Sequence, residues 1–415
     1  MSTLRPYPKY KAVDLPWLKE IPSHWELKKI RSHFSERKTK VSDKDFTPLS
    51  VAKQGVVPQL ESACKTDDGN NRKLVKSGDF VINSRSDRKG SSGLSTLEGS
   101  VSLINIVLCP RNICRSFVEY LLKSNSFIEE FYRNGRGIVA DLWTTRYQDM
   151  RNISIPVPPR DEQEKIVAFL DEKTAKIDKL IAAKTKEIEL IKEQQNAEIS
   201  QAVTRGLNPN VKFKAVDLPW LKEIPSHWEL KKLKYLFKER SQKGFPNEPL
   251  LAATQSMGVV PKEVYGERTV EVTKDFDILK LVEIGDFVAS LRSFQGGLEY
   301  AYYRGIISPA YTIITSNGEI RNEFFRYFAK SIPFIQLLRL CVKGIREGQN
   351  INYEVLKNRE LPIPPRDEQE KIVAFLDEKT AKYQKAISTI QKKVDLLKEY
   401  KTRLISDAVT GKIKV

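Results

Sequence analysis

The sequence predicts a mixed α/β protein in which two α/β modules are joined by two long helices packed as an antiparallel coiled coil. The whole forms a pseudo-two-fold internal repeat. Two identical blocks indicate the repeat: KAVDLPWLKEIPSHWELKK runs from Lys11 to Lys29 and from Lys214 to Lys232, and PPRDEQEKIVAFLDEKTAK runs from Pro158 to Lys176 and from Pro364 to Lys382. Between these blocks the two halves differ, so one duplicated scaffold carries two dissimilar modules.

Domain boundaries follow from the positions of the identical blocks. The first module is predicted over residues 1–157, the central long helix over 158–206, the second module over 207–363 and the C-terminal long helix over 364–415. The central helix ends in Ala202-Val203-Thr204, and Ala408-Val409-Thr410 repeats this sequence near the end of the chain. Because the second copy stops where the first is joined to its successor, the two ends of the chain are expected to lie close together.

Each half opens with a segment that carries two tryptophans. Ser23 and Glu26, like Ser226 and Glu229, stand at the spacing of a capping box, which predicts that a short helix starts there. We interpret the aromatic residues of this segment as packing anchors, together with the histidine beside each: Trp17, His24, Trp25, Trp220, His227 and Trp228.

The modules themselves mix strands and helices. β-Branched residues predict strands within 73–83 and 100–109, and aromatic residues at helical spacing predict helices over 116–132 and 322–341. Each module then closes with a short strand, Ile153–Val157 or Glu360–Ile363, which a double proline stops. Both modules are therefore expected to be α/β.

Two long helices follow the modules. From Arg160 to Gly206 the chain has no proline and no internal glycine, which predicts a helix on the order of 65 Å long. Alternating steps of three and four residues mark an apolar seam on both helices: Ile166, Leu170, Ile177, Leu180, Ile188, Ile191, Ile372, Leu376, Tyr383, Ile387, Ile390, Val394 and Leu397. Pairing within the chain would remove this seam from water, whereas a plain spacer rod would leave it exposed.

The charge of the chain is concentrated in the modules. The formal net charge is +17, of which the two long helical stretches 160–206 and 366–415 hold −1 and +4, leaving +14 for the remainder. Such an excess on the modules indicates a polyanionic partner, with nucleic acid first. A generally basic protein without such a partner is the alternative.

Several kinds of catalytic site are missing from the sequence. The chain has three histidines, no phosphate-binding G-x-x-x-x-G-K-[ST] run, and no Asn/Asp-Pro-Pro-aromatic box of the kind adenine methyltransferases use. Asp171-Glu172-Lys173 and Asp377-Glu378-Lys379 resemble the acidic end of a nuclease site, but we interpret them as surface charge on a helix. No metal site and no catalytic residue is predicted.

Cysteine spacing and hydropathy indicate in which cellular compartment the protein is expected. The four cysteines form no C-x-x-C pair, which favours free thiols in a reducing cytoplasm. No apolar run is long enough to span a membrane, so we expect no membrane association.

Basic and amide-bearing loops stand at comparable places in the two modules. Arg reads guanine bidentately, Gln or Asn reads adenine, and Lys mainly neutralises phosphate. The candidate DNA-binding residues are Arg85, Arg88, Lys89, Arg136, Arg146, Gln148, Arg292, Gln295, Lys343, Arg346, Gln349 and Asn350. Because the two sets differ in identity, two different half-sites are predicted.

The motifs together resemble those of specificity subunits of type I restriction-modification enzymes. The resemblance rests on E-I-P-x-H-W-E at 20–26 and 223–229, on P-P-x-x-E-Q at 158–163 and 364–369, and on the Gly-Asp-Phe-Val strand of each module. It implies two target-recognition domains held apart by an antiparallel helix pair, each reading one half of an interrupted sequence in double-stranded DNA. It also implies two adenine methyltransferase subunits as partners and, in the full enzyme, two restriction subunits. S-adenosylmethionine, Mg and ATP would then be bound by those partners, with no cofactor in this chain.

The sequence therefore predicts a non-enzymatic subunit that reads DNA and docks methyltransferase subunits. Two alternatives remain open at this point. One is a basic coiled-coil connector that binds DNA without sequence preference, and the other is an enzyme with an unrecognised nuclease or methyltransferase site.

Overall fold

The computed structural model describes residues 5–60, 68–137, 143–266, 276–290, 293–343 and 350–415. These residues group into two compact units. Unit 1 combines residues up to Thr185 with Lys392–Val415, and unit 2 covers Lys186–Gln391. Each unit therefore contains one module and part of each long helix.

In unit 1, a four-stranded sheet in the order β10-β9-β12-β4 carries the helices of the module, and smaller sheets surround it. The strands are β1 (Tyr10–Leu15), β2 (Leu18–Pro22), β3 (Glu26–Lys29), β4 (Phe34–Glu36), β5 (Lys40–Val41), β6 (Leu49–Ala52), β7 (Gly55–Pro58), β8 (Arg72–Val75), β9 (Phe80–Asn83), β10 (Ser92–Leu94), β11 (Gly99–Ser102), β12 (Asn105–Pro110) and β13 (Ser154–Val157). The helices are α1 (Ile30–His33), α2 (Arg115–Leu122), α3 (Asn125–Arg133), α4 (Tyr147–Met150) and the start of α5 (Arg160–Arg205).

Unit 2 repeats this plan, with a four-stranded sheet in the equivalent order β22-β21-β24-β17. The strands are β14 (Phe213–Leu218), β15 (Leu221–Pro225), β16 (Glu229–Lys232), β17 (Phe237–Arg240), β18 (Leu251–Thr254), β19 (Gly258–Pro261), β20 (Lys280–Val282), β21 (Phe287–Ala289), β22 (Glu299–Tyr300), β23 (Gly305–Ile307), β24 (Thr312–Ser316), β25 (Val342–Lys343), β26 (Asn350–Ile351) and β27 (Glu360–Ile363). The helices are α6 (Leu233–Leu236), α7 (Lys262–Tyr265), α8 (Ser293–Gly296), α9 (Asn322–Phe328), α10 (Ile332–Arg339), α11 (Tyr353–Leu356) and the start of α12 (Arg366–Val409).

The predicted module helices are each split in two. In unit 1 the break falls at Ser124, whose hydroxyl accepts a hydrogen bond from the amide of Phe127 at 3.4 Å. In unit 2, Ser331 caps α10 through the amide of Phe334 at the same distance. A serine that caps a new helix start ends the preceding helix, although the aromatic spacing continues across it.

The short helix predicted at the two capping boxes is wrong. Ser23 lies in a turn between β2 and β3, and Glu26 begins a strand that pairs with β13. The second copy behaves in the same way, since β16 pairs with β27. Strand pairing across the module therefore overrides the local capping signal, and the short helix α1 begins later, at Ile30.

The tryptophans are core residues, as predicted. Trp25 and Trp228 are fully buried, Trp220 is nearly so, and Trp17 packs edge-on against Phe127. The histidines are different, because the His24 and His227 side chains remain 48% and 45% exposed. They act as hydrogen-bonding groups rather than as core anchors.

The two long helices pair in antiparallel fashion. In unit 1 the ammonium of Lys401 lies 2.7 Å from the carboxylate of Asp178, and in unit 2 that of Lys379 lies 3.6 Å from Glu198. Later residues of one helix thus meet earlier residues of the other. The predicted seam residues other than Leu180 are buried or partly buried: Ile166, Leu170, Ile177, Ile188, Ile191, Ile372, Leu376, Tyr383, Ile387, Ile390, Val394 and Leu397.

Leu180 was a wrong seam assignment. Its side chain is 52% exposed, and the next residue, Ile181, packs against the core of unit 1 instead. After Ile177 the seam continues four residues later at Ile181 and then three residues later at Lys184. Lys184 is partly buried, so a lysine rather than an apolar residue occupies this seam position.

Three further observations complete the fold. The amide of Lys414 donates to the carbonyl of Arg5 at 2.8 Å, so the predicted proximity of the two ends is confirmed. Cys109, Cys114 and Cys341 are free thiols, and Cys64 lies outside the described residues. No helix in the described ranges is long and apolar enough to cross a membrane.

Candidate nucleic-acid interface

The two repeated sequence blocks bind each other in each unit. In unit 1 the carboxylate of Glu162 accepts from the indole of Trp25 at 3.1 Å and lies 2.8 Å from the imidazole of His24. In unit 2, Glu368 makes the same contacts with Trp228 at 3.0 Å and His227 at 2.7 Å. The Trp-bearing segment is thus fixed to the first turn of each long helix.

The glutamine of the second block joins the same helix to the module. The side-chain amide of Gln163 donates to the carbonyl of Pro158 and accepts from the backbone amide of Cys114, both at 2.8 Å. Gln369 does the same with Pro364 and Arg321, both at 2.9 Å. These identical residues connect helix and module in the same way in both units.

The Gly-Asp-Phe-Val sequence that occurs in both modules also has a structural role. Asp79 accepts two hydrogen bonds from the guanidinium of Arg37, at 2.7 and 2.9 Å, and Asp286 accepts from Arg240 at 2.7 Å. Each aspartate also accepts from a backbone amide of its own turn. Burial raises the pKa of Asp286, while Arg240 acts in the opposite direction. The pair anchors the edge of the main sheet in each module.

Two predicted loops of the first module meet at Thr144, and the third begins just after it, at Arg146. The backbone of Thr144 forms bridges with Arg85 and with Arg136, and the two hydrogen bonds to Arg136 are each 3.0 Å. The amide of Ser86 donates to the carbonyl of Trp143 at 3.0 Å. Residues that are far apart in sequence therefore present their side chains from one surface, which we call the first loop cluster: Arg85, Arg88, Lys89, Arg136, Arg146 and Gln148.

The side chains of the first loop cluster are available to solvent to different degrees. Arg136 is 86% exposed and Arg88 is 67% exposed. Asp87 lies 3.2 Å from Arg85 and 3.7 Å from Arg88, and Glu129 lies 2.7 Å from Lys89. Exposed ion pairs of this kind are worth roughly 0–1 kcal/mol, so phosphate can replace the carboxylates.

Asp149 is a functional candidate that the sequence analysis missed. Its nearly buried carboxylate accepts from the backbone amide of Arg146 at 3.0 Å and lies 3.2 Å from the guanidinium of Arg136. One carboxylate thereby positions two candidate arginines. The only local signal is an acidic residue three positions after Arg146, at the start of a four-residue helix.

Three candidates of the second module lie on described elements, and we call them the second loop cluster: Gln295, Lys343 and Asn350. Gln295 is exposed on α8, which follows β21 and lies beside α10 and β26. The β25–β26 hairpin pairs Lys343 with Asn350, although only the backbone of these two residues is described. Arg292, Arg346 and Gln349 lie outside the described residues.

Nothing in the described ranges resembles a metal centre, since no group of three or more His, Cys, Asp or Glu side chains there could hold a metal ion. Asp171 and Asp377, from the nuclease-like triplets, each accept a hydrogen bond at 2.6 Å from a module tyrosine, Tyr120 or Tyr327. Burial is the main cause that raises the pKa of each tyrosine to about 12, so both remain donors near neutral pH. These aspartates connect helix and module.

A family model described as the type I restriction modification DNA specificity domain matches residues 105–190 and 225–398. The chain belongs to this family. The match includes parts of both modules and both long helices, so it accounts for the duplicated architecture.

Two curated relatives from Methanocaldococcus jannaschii are similar to this specificity-family chain. It is 26% identical over 284 residues to the putative type I restriction enzyme MjaX specificity subunit, covering 64% of this chain and 60% of the relative. It is 25% identical over 279 residues to the type I restriction enzyme MjaVIII specificity subunit, covering 64% and 63%. The chain thus spans about three fifths of the length of these relatives.

A solved structure shares the fold. The work titled "Structural basis underlying complex assembly and conformational transition of the type I R-M system" contains a chain that matches with a TM-score of 0.68 at 15% identity. The match covers 95% of this chain and 99% of that one. The predicted fold class, two α/β modules with an antiparallel helix pair, is confirmed.

Proposed function

We propose that this chain is the DNA-reading, non-catalytic subunit of a type I restriction-modification complex. Each module would read one half of an interrupted target in double-stranded DNA through its loop cluster. The observation that carries the proposal is that the equivalent backbone pairs of the two modules, Arg136 with Thr144 and Lys343 with Asn350, consist of different residues. A chain that read one repeated sequence would need the same side chains twice.

The equivalence of the clusters rests on backbone pairing. The bridge between Arg136 and Thr144 in the first module corresponds to the pairing of Lys343 with Asn350 in the second. A short helix follows in each case, α4 or α11, and then the closing strand. Arginine and glutamine side chains at these positions suit the edges of guanine and adenine.

The long helices would provide the docking surface for partners. The first turns of α5 and α12 have the same sequence, so two copies of one partner could bind equivalent faces. We propose two adenine methyltransferase subunits as those partners and, in the full enzyme, two restriction subunits. S-adenosylmethionine, Mg and ATP would be bound by the partners, and the complex would act on DNA in the cytoplasm.

Methylation mapping tests the proposal directly. The chain is co-expressed with its adenine methyltransferase subunit, and N6-methyladenine is mapped across the host DNA. We expect one interrupted motif with two unlike halves. A soluble, verified complex that leaves the DNA unmethylated would contradict the proposal, and the same result with sequence-independent binding would favour a connector instead. Nuclease or methyltransferase activity of the purified chain alone would favour an enzyme.

A further inference from the structure

We propose that the first module holds a phosphate-binding groove formed by Lys38, Lys40 and Arg146, of which Lys38 and Arg146 have neutral counterparts in the second module. The ligand is the backbone of duplex DNA. The inference rests on the proposed function and adds to it that the two half-sites are held with unequal electrostatic strength.

The groove lies beside the first loop cluster, within unit 1. It is an open concavity of about 550 Å³, lined by residues from the segment around β5, from β8 and from α4. Its lining includes Lys38, Lys40, Lys73, Arg146 and Gln148, with Glu36 as its acidic residue. Two residues of the first loop cluster therefore belong to the groove, and its three lysines extend the same basic surface.

The charges in the groove divide into a buried pair and an exposed set. Lys73 has a side chain only 15% exposed, and its ammonium lies 3.1 Å from the carboxylate of Glu36 and donates to the carbonyl of Asn105 at 2.8 Å. This lysine neutralises Glu36. Lys38, 3.5 Å from the same carboxylate, is 67% exposed, so its charge remains accessible.

Lys40 and Arg146 complete the exposed set. Both are exposed, and neither side chain makes an ion pair with a carboxylate in the described part of the chain. Lys40 is held by its backbone, because β5 pairs with β8 at Lys73. Arg146 is held by the hydrogen bond from its amide to Asp149. Fixed backbones with free cationic side chains suit the neutralisation of phosphate.

The second module lacks two of the three cations at the equivalent positions. The amide of Leu74 donates to Thr39 and that of Leu281 to Gln242, which aligns Lys38 with Ser241 and Lys40 with Lys243. At the short helix, Arg146 corresponds to Asn352 and Gln148 to Glu354. The second module thus replaces two cations by neutral residues and a neutral amide by an acid.

Salt dependence is the property that distinguishes phosphate contacts from base contacts. Each neutralised phosphate contributes about 0.9 to the slope of log affinity against log salt concentration. The double variant Lys38→Ser/Arg146→Asn gives these two positions of the first groove the side chains of the second module. Asparagine is also favourable at the position before a helix, so α4 should form normally.

The experiment measures binding of the full chain to duplex DNA at several salt concentrations. The probes are a random-sequence duplex and a duplex that carries the mapped target. We expect the double variant to lower the slope by about 1.8, so that a fourfold rise in salt weakens its binding about twelvefold less than that of the unsubstituted chain. The matched control is Lys179→Gln/Lys392→Gln, which removes two exposed charges from the long helices and should leave the slope unchanged.

An unchanged slope in the groove variant would overturn the inference. If preference at one base position is lost while the slope stays the same, Arg146 reads a base instead of neutralising phosphate. A failure of the proposed function gives a different result: no methylated motif appears, while the slope on the random duplex still tests the groove.

Discussion

Glu299 in the second module is a buried acid, and its raised pKa predicts a measurable effect of pH on stability. Its side chain is fully buried, and one oxygen accepts from Lys330 at 2.6 Å while Oε1 has no donor among the described residues. Burial, opposed by the charge of Lys330, raises the pKa of Glu299 from 4.5 to about 7. Lys330 also donates to the carbonyl of Gly296 at 3.0 Å, so this group supports α8, which carries Gln295.

The raised pKa predicts how stability changes with pH. Because the folded state binds the proton more tightly than the unfolded state, Glu299 favours folding below about pH 4.5, and this contribution is lost as pH rises through about 7. At 1.36 kcal/mol per pKa unit, the change is about 3 kcal/mol. Glu299→Gln cannot ionise and should lack it.

Urea unfolding of the full chain at pH 5 and pH 8 measures this effect. We expect the difference in unfolding free energy between Glu299→Gln and the unsubstituted chain to shift by about 2–3 kcal/mol in favour of the glutamine variant as pH rises, because a small part of the full change has already occurred at pH 5. Glu263→Gln, which changes an exposed acid of the same unit, serves as the control. A difference that does not depend on pH would refute the reasoning.

Four further substitutions test the helix seam, the contact of Glu162 with the Trp-bearing segment, and the candidate interface. Ile177→Ala should lower the free energy of unfolding in urea by about 2–4 kcal/mol because its side chain is buried, whereas Leu180→Ala should stay within about 0.5 kcal/mol. Glu162→Ala should lower the free energy of unfolding by about 2–4 kcal/mol, because the indole of Trp25 loses its acceptor. Glu164→Ala changes an exposed acid and serves as the control; equal effects of the two substitutions would contradict a structural role for Glu162. Asp149→Ala should raise the Kd for duplex DNA about tenfold and lower the free energy of unfolding by about 1–2 kcal/mol, because the Arg146 amide loses its acceptor. Asp149→Asn should restore part of the affinity, and no change in Kd would exclude its positioning role. Gln295→Ala should cost about 1–3 kcal/mol at one base position if this amide reads a base, and uniform weakening on all sequences would assign it to phosphate.

Much of the fold could be predicted because its signals are local or repeated. The long helices were predicted from the absence of proline and internal glycine, and α5 begins at Arg160 and ends at Arg205. The errors arose where a local signal competes with long-range pairing. Ser23 and Glu26 have capping-box spacing, yet Glu26 pairs with Val157, which the local sequence does not reveal. Leu180 was assigned to the seam wrongly because the assignment counted apolar residues only, whereas a lysine, Lys184, occupies one of the seam positions.

The candidate interface was predicted less completely for the same reason. Arg85 and Arg136 were found from charge and from glycine nearby, but their convergence on Thr144 depends on backbone pairing across many residues. Lys38 and Lys40 lie about a hundred residues before Arg146 in sequence, so no local pattern joins them into one groove. Asp149 is a single acid whose role becomes visible only when both of its arginine partners are placed.

The positions of identity and difference follow from these physical roles. Glu162 and Glu368 each join two distant segments through a nearly buried carboxylate, so a change there would leave indole and imidazole donors without partners. The first loop cluster lies outside these contacts, and its side chains are exposed to solvent. Lys38 and Arg146 are both exposed, so each can be replaced by the residue of the other module with little loss of folding free energy, while the charge that the module presents changes. A duplicated scaffold of this kind allows the two modules to differ in what they bind without differing in how they fold.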